Sequence, residues 1–454
     1  MLTSRPAAVD EAYFDELRAR EFTRLALNRH AYLDYTGSAL YSDSQLRACQ
    51  ARLADGLFGN PHADHVPSRA SMAIIAAARR RVLTFLDAPA EDYLVCFAAS
   101  TSAAIKLVAE SYAFGPDRSC VLTADNHNSV NGIREYARRR RGRIRYVGLT
   151  CDLHLDDPTT ILDEEGSRGG GLFAFPAQSN FSGVEHSLSL VAEAQARGFD
   201  VLLDIAAFAP SHPFSLRRCP ADFVALSFYK LFGYPTGVGA LVARREALAR
   251  LTRPWFAGGT VTYASVEHDT HELRSFEEGF EDGTPNFLGI AALDAGFDVL
   301  ADAEIPRLHA HVARLTAMFL DELGMLRHAN GAPLVRVYGP PGMTDRGGLV
   351  TFNVTDRLGQ SVPFSIFETR AAQAGVSIRG GCFCNPGAAE AAFGFDTTRT
   401  ARCLETLRGS FSIERFASCL GPGTAVGAVR ASFGLANNAE DIRRAIDVAA
   451  SFRQ

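Results

Sequence analysis

Apolar residues in this chain gather in two rhythms. Between about residues 93 and 243 they form short runs bounded by glycine, serine or charged residues: Tyr93 to Phe97, Cys120 to Thr123, Arg145 to Leu149, Gly171 to Phe175, Asp200 to Asp204, Phe223 to Phe228 and Val238 to Ala243. Runs this short and this continuous predict strands buried on both faces. Between them, from about Ser102 to Tyr112, Val130 to Arg140 and Ser187 to Arg197, apolar and charged residues are spaced as on a helix. Strand and helix in alternation imply an α/β fold, a mostly parallel sheet with helices on both faces. Upstream, residues 8 to 29 and Ser68 to Leu86 read as helices, with a short strand starting at Tyr32 and a turn cluster at Phe58-Gly-Asn-Pro-His62. After about residue 305 the pattern changes. A long helix from Pro306 to Leu323 precedes strands Leu334 to Tyr338 and Gly348 to Val354, a helix Phe364 to Ala374, a strand Ala428 to Phe433 and a terminal helix. The expected organisation is a large domain over residues 31–304 and a smaller α+β domain over 305–454, against which residues 1–30 pack.

Composition narrows the class. A chain of 454 residues with 47% apolar and 21% charged residues is globular and exceeds one ordinary core. Its formal net charge of −5 gives no basic footprint for nucleic acid. Met1 to Arg29 lacks the apolar core of a secretory signal, and no run approaches the roughly 18 apolar residues of a membrane span. A cytoplasmic protein without a membrane partner is expected. The nine cysteines are odd in number and scattered, which suits reduced thiols rather than a disulfide framework.

Candidate chemistry starts at lysine. Of 46 Lys+Arg residues only Lys106 and Lys230 are lysines. Lys230 is therefore either a residual surface charge or a residue doing what a guanidinium cannot, such as losing its proton to form a Schiff base. It follows the run Phe223 to Phe228 and precedes Gly233, Pro235, Gly237 and Gly239, a loop with room for a ligand near the backbone. In open α/β sheets ligands gather at the carboxyl ends of strands. The residues just past the predicted strands are Ser100, Thr101 and Ser102 at a helix start, His127, the pair Gln178 and Asn180, and Asp204. Read singly, each is an ordinary N-cap, a satisfied histidine or a paired carboxylate. Read together they supply what pyridoxal phosphate needs: a lysine for its aldehyde, an acid for its ring nitrogen, a ring to stack on it and a phosphate cup. No metal is expected, because Cys382-Phe-Cys384 has no histidine after it and cannot fill a zinc shell alone.

The stretches Tyr32-Leu-Asp34, Gly59-Asn-Pro-His62, Asp125-Asn-His-Asn-Ser-Val130, Phe175-Pro-Ala-Gln-Ser-Asn-Phe-Ser-Gly183, Ser227-Phe-Tyr-Lys230, Phe280-Glu-Asp-Gly-Thr284, Gly381-Cys-Phe-Cys-Asn385 and Val429-Arg-Ala-Ser-Phe-Gly434 carry a family resemblance. The chain resembles the fold-type I, class V aminotransferases, which include the cysteine desulfurases, and within them the desulfurase domain of molybdenum cofactor sulfurases. The resemblance implies that Lys230 forms the Schiff base, Asp204 pairs with the ring nitrogen and His127 stacks on the ring. It puts Asn180 or Gln178 near the ring hydroxyl or substrate, and Ser227 with Thr101 or Ser102 on the phosphate. It further implies a homodimer in which Gly283 and Thr284 reach the phosphate of the other subunit. Arg430 corresponds to the arginine that grips the amino-acid substrate's carboxylate, and the substrate side chain depends on how Tyr35, Asn180, Arg379 and the 380–387 loop are arranged in space. Cys384 corresponds to the sulfur-accepting nucleophile, while Cys382 has no assigned role. One departure is visible: Ala207 stands where simple desulfurases carry glutamine. The sulfurases also carry a further domain holding the sulfur acceptor, and this sequence stops at Gln454. Desulfuration of L-cysteine, with transfer to a separate acceptor protein, is the leading expectation. Decarboxylation, elimination or carbon–carbon bond formation on another amino acid is the alternative, and a non-catalytic binding protein on the same fold is a second.

Overall fold

A computed structural model describes residues 10–421 and 423–454. Its centre is a seven-stranded sheet of β1 (Tyr93–Ala98), β2 (Ser119–Thr123), β3 (Ile144–Val147), β4 (Gly171–Pro176), β5 (Phe199–Asp204), β6 (Phe223–Ser227) and β7 (Gly239–Arg244). The strand order is β1-β7-β6-β5-β4-β2-β3. All neighbouring pairs are parallel except the two that β7 makes, which are antiparallel. The apolar runs are double-faced as expected: every residue of β2, β4 and β6 is buried. β5 and β6 are direct neighbours, with Asp204 opposite Ala225, so the chain returns to put Asp204 at the end of β5 and Lys230, 26 residues on, just past the end of β6.

The smaller sheet has the order β8-β9-β11-β10, all antiparallel, from β8 (Val335–Tyr338), β9 (Leu349–Val354), β10 (Arg379–Gly381) and β11 (Ala428–Ser432). Six helices matter below: α1 (Glu11–Glu21), α2 (Thr101–Ser111), α3 (Phe228–Phe232), α4 (Ile305–Met325), α5 (Pro386–Phe393) and α6 (Ala439–Ala450). α1 packs through Phe14, which stacks on His311 of α4 at 3.9 Å between ring centroids, and through Arg18, which pairs with Asp441 of α6. Among the described residues no helix is long and apolar enough to cross a membrane.

Several expectations change in detail. The N-terminal helix breaks at Phe22, whose backbone leaves the helical region before a short turn Thr23–Leu27; its expected start at residue 8 lies outside the described residues. The helix expected from Val130 to Arg140 divides at Gly132. Lys230 does not sit at the end of its strand but in α3, a single helical turn that follows β6. The thiols are not all reduced, since Cys403 and Cys419 form a disulfide across a Cα–Cα distance of 5.8 Å, bridging helices Thr397–Thr406 and Ile413–Leu420. An odd total of cysteines left one such pair invisible to counting.

Candidate active site

The carboxyl ends of β1, β2, β4, β5 and β6 surround an open cleft with about 540 Å³ of empty space, part of it open solvent. Ser100, Thr101, Ser102, His127, Gln178, Asn180, Asp204, Ser227 and Lys230 all line it. Every expected cofactor residue of the leading strand ends is thus in one place. Gly283 and Thr284 are not among them: within one chain Thr284 hydrogen-bonds Asn60 and lines a different hollow, with Lys106 and Glu281.

The phosphate end is the start of α2. Ser100 caps the helix, its Oγ accepting from the Ala103 amide at 3.2 Å. Thr101 is tied to β6: its amide donates to Ser227 Oγ at 2.7 Å and the two hydroxyls lie 2.6 Å apart. Ser102 instead pairs its hydroxyl with that of Ser129 at 2.5 Å. This concentration of hydroxyls at an 11-residue helix's N-terminus suits a phosphate dianion. The close approach has a backbone cause, because a Cβ on Gly239 would stand 2.6 Å from the Ser100 carbonyl carbon.

At the ring end, Asp204 is buried, and its Oδ1 accepts from the Ala206 amide at 2.9 Å. No described residue donates to its other oxygen, which is free to meet a protonated ring nitrogen. His127 Nδ1 accepts from the Ser129 amide at 3.1 Å, which assigns the ring proton of the neutral form to Nε2. Burial pushes the His127 pKa down, the Lys230 and Arg430 charges push the same way, and Asp204 opposes them. Lys230 behaves alike: burial lowers its amine's pKa from 10.5, Asp204 opposes, Arg430 and Arg379 lower it further, and the nearby Cys384 opposes. A lysine poised to lose its proton is one poised to attack an aldehyde. Gln178 is buried with its Oε1 unpartnered. The donor set, the free carboxylate oxygen and the hydroxyl cup fit pyridoxal phosphate.

Arg379, Arg430 and Cys384 stand beyond the lining, near enough for their charges to act on Lys230. The two arginines face each other across the β10–β11 pair, where like charges repel. Asp34 neutralises them: Arg379 Nε lies 3.0 Å from both its oxygens and Nη2 2.6 Å from Oδ2, while Arg430 Nη2 lies 3.2 Å from Oδ1. Arg430 also donates to the Asn180 carbonyl at 2.9 Å, lies 4.7 Å over the Phe383 ring, and keeps a buried Nε without a partner. Burial lowers its pKa to about 10, with Asp34 opposing. Cys384 is exposed. Cys382 is half-buried, donates to the Val426 carbonyl at 3.2 Å, and is pushed by burial up to about 11. Asp34, Asn385 and the buried His186–Asp125 pair, at 2.7 Å, carry no assignment from sequence reasoning although three of them fall inside the quoted motifs. Among the described residues no cluster of histidine, cysteine and carboxylate could hold a metal.

Comparison with known proteins bears on the family and the fold. A family model described as aminotransferase class-V matches residues 31–445. The molybdenum cofactor sulfurase of Arabidopsis thaliana is 35% identical, over 95% of this chain and 57% of its own length; this chain therefore spans little more than half of that relative. Among solved structures, a cysteine desulfurase of Thermococcus onnurineus superposes with a TM-score of 0.78 at 23% identity, covering 99% of both chains. A cysteine desulfurase of Escherichia coli gives 0.77 at 22% identity, covering 98% of this chain and 99% of that one. At such identities the likeness establishes the fold.

Proposed function

The chain belongs to the class-V aminotransferase family of pyridoxal phosphate-dependent enzymes, and from that premise we propose that it removes sulfur from L-cysteine, leaving L-alanine and a persulfide on Cys384. The observation that carries this reading is an exposed thiol whose loop is bonded to the cleft: the Cys384 carbonyl accepts from the Asn128 amide, next to His127, and the Phe383 carbonyl from the cleft-lining Asn180. Relatives named as molybdenum cofactor sulfurases support the sulfur assignment.

Pyridoxal phosphate, held by Asp204, Ser227 and the hydroxyls of the α2 start, supplies an electron sink that acidifies the substrate Cα–H. Arg430, bonded to the carbonyl of the cleft-lining Asn180, is the guanidinium suited to the substrate carboxylate. Lys230, its pKa lowered by burial, accepts the Cα proton, and His127 Nε2 is the second proton carrier at the cleft. The Cys384 thiolate attacks the substrate sulfur and the C–S bond breaks, its electron pair going to Cβ, which takes a proton. The balance is L-cysteine plus Cys384–SH giving L-alanine plus Cys384–S–SH. The persulfide sulfur is then available to an acceptor. A second copy of the chain supplies Gly283 and Thr284 to complete the phosphate site, in keeping with their absence from the lining of their own cleft and with Trp255, Phe256 and Tyr263 exposed nearby in sequence.

The test is direct. Purified protein absorbs as a Schiff base that borohydride bleaches, and releases alanine and, with a thiol reductant, sulfide from L-cysteine. Cys384→Ala keeps the absorbance and loses both products. Unchanged turnover in that variant rejects Cys384, and ammonia or carbon dioxide from another amino acid, without alanine from cysteine, supports the lyase or decarboxylase alternative instead.

A further inference from the structure

The backbone that carries Cys384 is unusual. Phe383 and Cys384 have φ of +55° and +56°, two consecutive side-chain-bearing residues in the left-handed region that favours glycine. Such a conformation persists only where its surroundings over-determine it. Those surroundings are three loops drawn to one point. The Asn128 amide donates to the Cys384 carbonyl at 2.7 Å, and Asn180 Nδ2 donates to the Phe383 carbonyl at 2.7 Å. Behind both lies Asn385, wholly buried, whose Nδ2 donates to the Asp125 carbonyl at 2.5 Å and to Asn180 Oδ1 at 2.9 Å. Its Oδ1 accepts from the Ala388 amide at 3.2 Å and caps α5. The anchor is itself fixed, since Asp125 Oδ2 is paired with the buried His186. Gly387 completes the seat: a Cβ there would lie 2.1 Å from the Ala124 carbonyl oxygen, so only glycine lets α5 press this closely on the loop after β2.

We propose that Asn385 is the positioning residue for Cys384: through its two Nδ2 hydrogen bonds it clamps the cysteine loop to the ends of β2 and β4 and fixes the thiol at the mouth of the cleft. The proposal rests on the sulfur-accepting role of Cys384 for its catalytic consequence, and on the structure alone for the clamp. It makes the loop a built part of the site. An ordinary helix cap needs only the Oδ1 bond, and the side chain spends its remaining donors on two other loops.

Asn385→Asp separates these duties. Aspartate caps helices as well as asparagine does, but it has no Nδ2–H and sets a carboxylate against two acceptors. In the cofactor-loaded enzyme, alanine formation from L-cysteine should fall on the order of 10²-fold in kcat, the scale of a misplacement of about 1 Å. The fall in kcat should exceed any rise in KM, because Asn385 reaches Arg430 only through Asn180, and the cofactor absorbance should be retained, because Asn385 bonds neither Lys230 nor Asp204. Independently of any activity, alkylation of Cys384 by iodoacetamide and amide exchange of the 383–385 peptide and of Asn128 should both speed up by about tenfold or more in the variant. Wild-type kcat, alkylation and exchange in Asn385→Asp overturn the proposal. If that variant does not fold, exchange in the wild-type holoenzyme decides, since an unprotected Asn128 amide means that no clamp exists. Should the wild-type enzyme make no alanine from cysteine, the functional reading fails, and alkylation and exchange still decide the clamp.

Discussion

Replacing Asp34 with asparagine removes the one negative charge that lies between Arg379 and Arg430. The two contacts are unequal. The Arg430 side chain is 2% exposed, whereas that of Arg379 is 48% exposed. Unit charges about 4 Å apart attract by about 4 kcal/mol at the effective dielectric of a protein site, and breaking a buried pair from one side costs about 3–5 kcal/mol. Those figures apply to Arg430. Water screens Arg379, so its share is at most about 1 kcal/mol. The variant also leaves two like charges opposite each other in an antiparallel pair, one of them buried with an Nε already unpartnered. The expected loss is therefore about 4 kcal/mol, read as a drop in unfolding free energy of the cofactor-free protein in urea. The double variant Asp34→Asn/Arg379→Gln removes the repulsion as well and should recover part of that loss, whereas if the two residues merely packed the double variant would be no more stable than the single one. In the loaded enzyme, Asp34→Asn should raise KM for the amino acid more than it lowers kcat, because Arg430 loses its support while Lys230 and His127 keep theirs. A stability loss below about 1 kcal/mol, or a double variant no better than the single one, would refute the reasoning.

Two further outcomes follow from the charge states. Burial lowers the Lys230 pKa from 10.5, so between that lowered value and 10.5 the folded cofactor-free chain binds fewer protons at this amine than the unfolded chain does. Stability contributed by Lys230 therefore rises with pH through that window, and the advantage of Lys230→Met over the wild type, measured by urea unfolding from pH 7 upward, should be largest at the neutral end and shrink as pH climbs. With its pKa near 11, Cys382 is about 0.1% thiolate at pH 8; mass spectrometry after brief iodoacetamide treatment should therefore find Cys384 and the exposed Cys151 labelled and Cys382 intact.

The large sheet is legible in the sequence because a strand buried on both faces can only be an unbroken apolar run, and the residues at its carboxyl end are then fixed to the same edge by parallel pairing. That logic brought Ser100, His127, Gln178, Asp204 and Lys230 together from positions up to 130 residues apart. It fails where a structure depends on surface-like sequence. The helix Asp43–Asp55, the hairpin of Val261–Ser265 with Thr270–Leu273, and the helices Thr397–Thr406 and Ile413–Leu420 are mixed or polar and show no such boundary. Nor does it reveal that β7 runs against its neighbours, since a buried run reads the same in both directions.

The supporting residues are hidden for a different reason. Asp34 meets Arg430 across 396 positions and Asn385 meets Asp125 across 260, so no local pattern announces either pairing. Asn385 is further disguised, because Asn-Pro-Gly before a run of alanines is a sufficient description of a helix start, and the cap it predicts is there. That cap uses a single acceptor. The side chain still has two donors, and burying them unpaired would cost more than the cap returns, so whatever buries this asparagine completely must also provide acceptors. They come from the loops that carry His127 and Asn180, which is why a residue with an ordinary local explanation ends up tying the cysteine loop to the cofactor cleft.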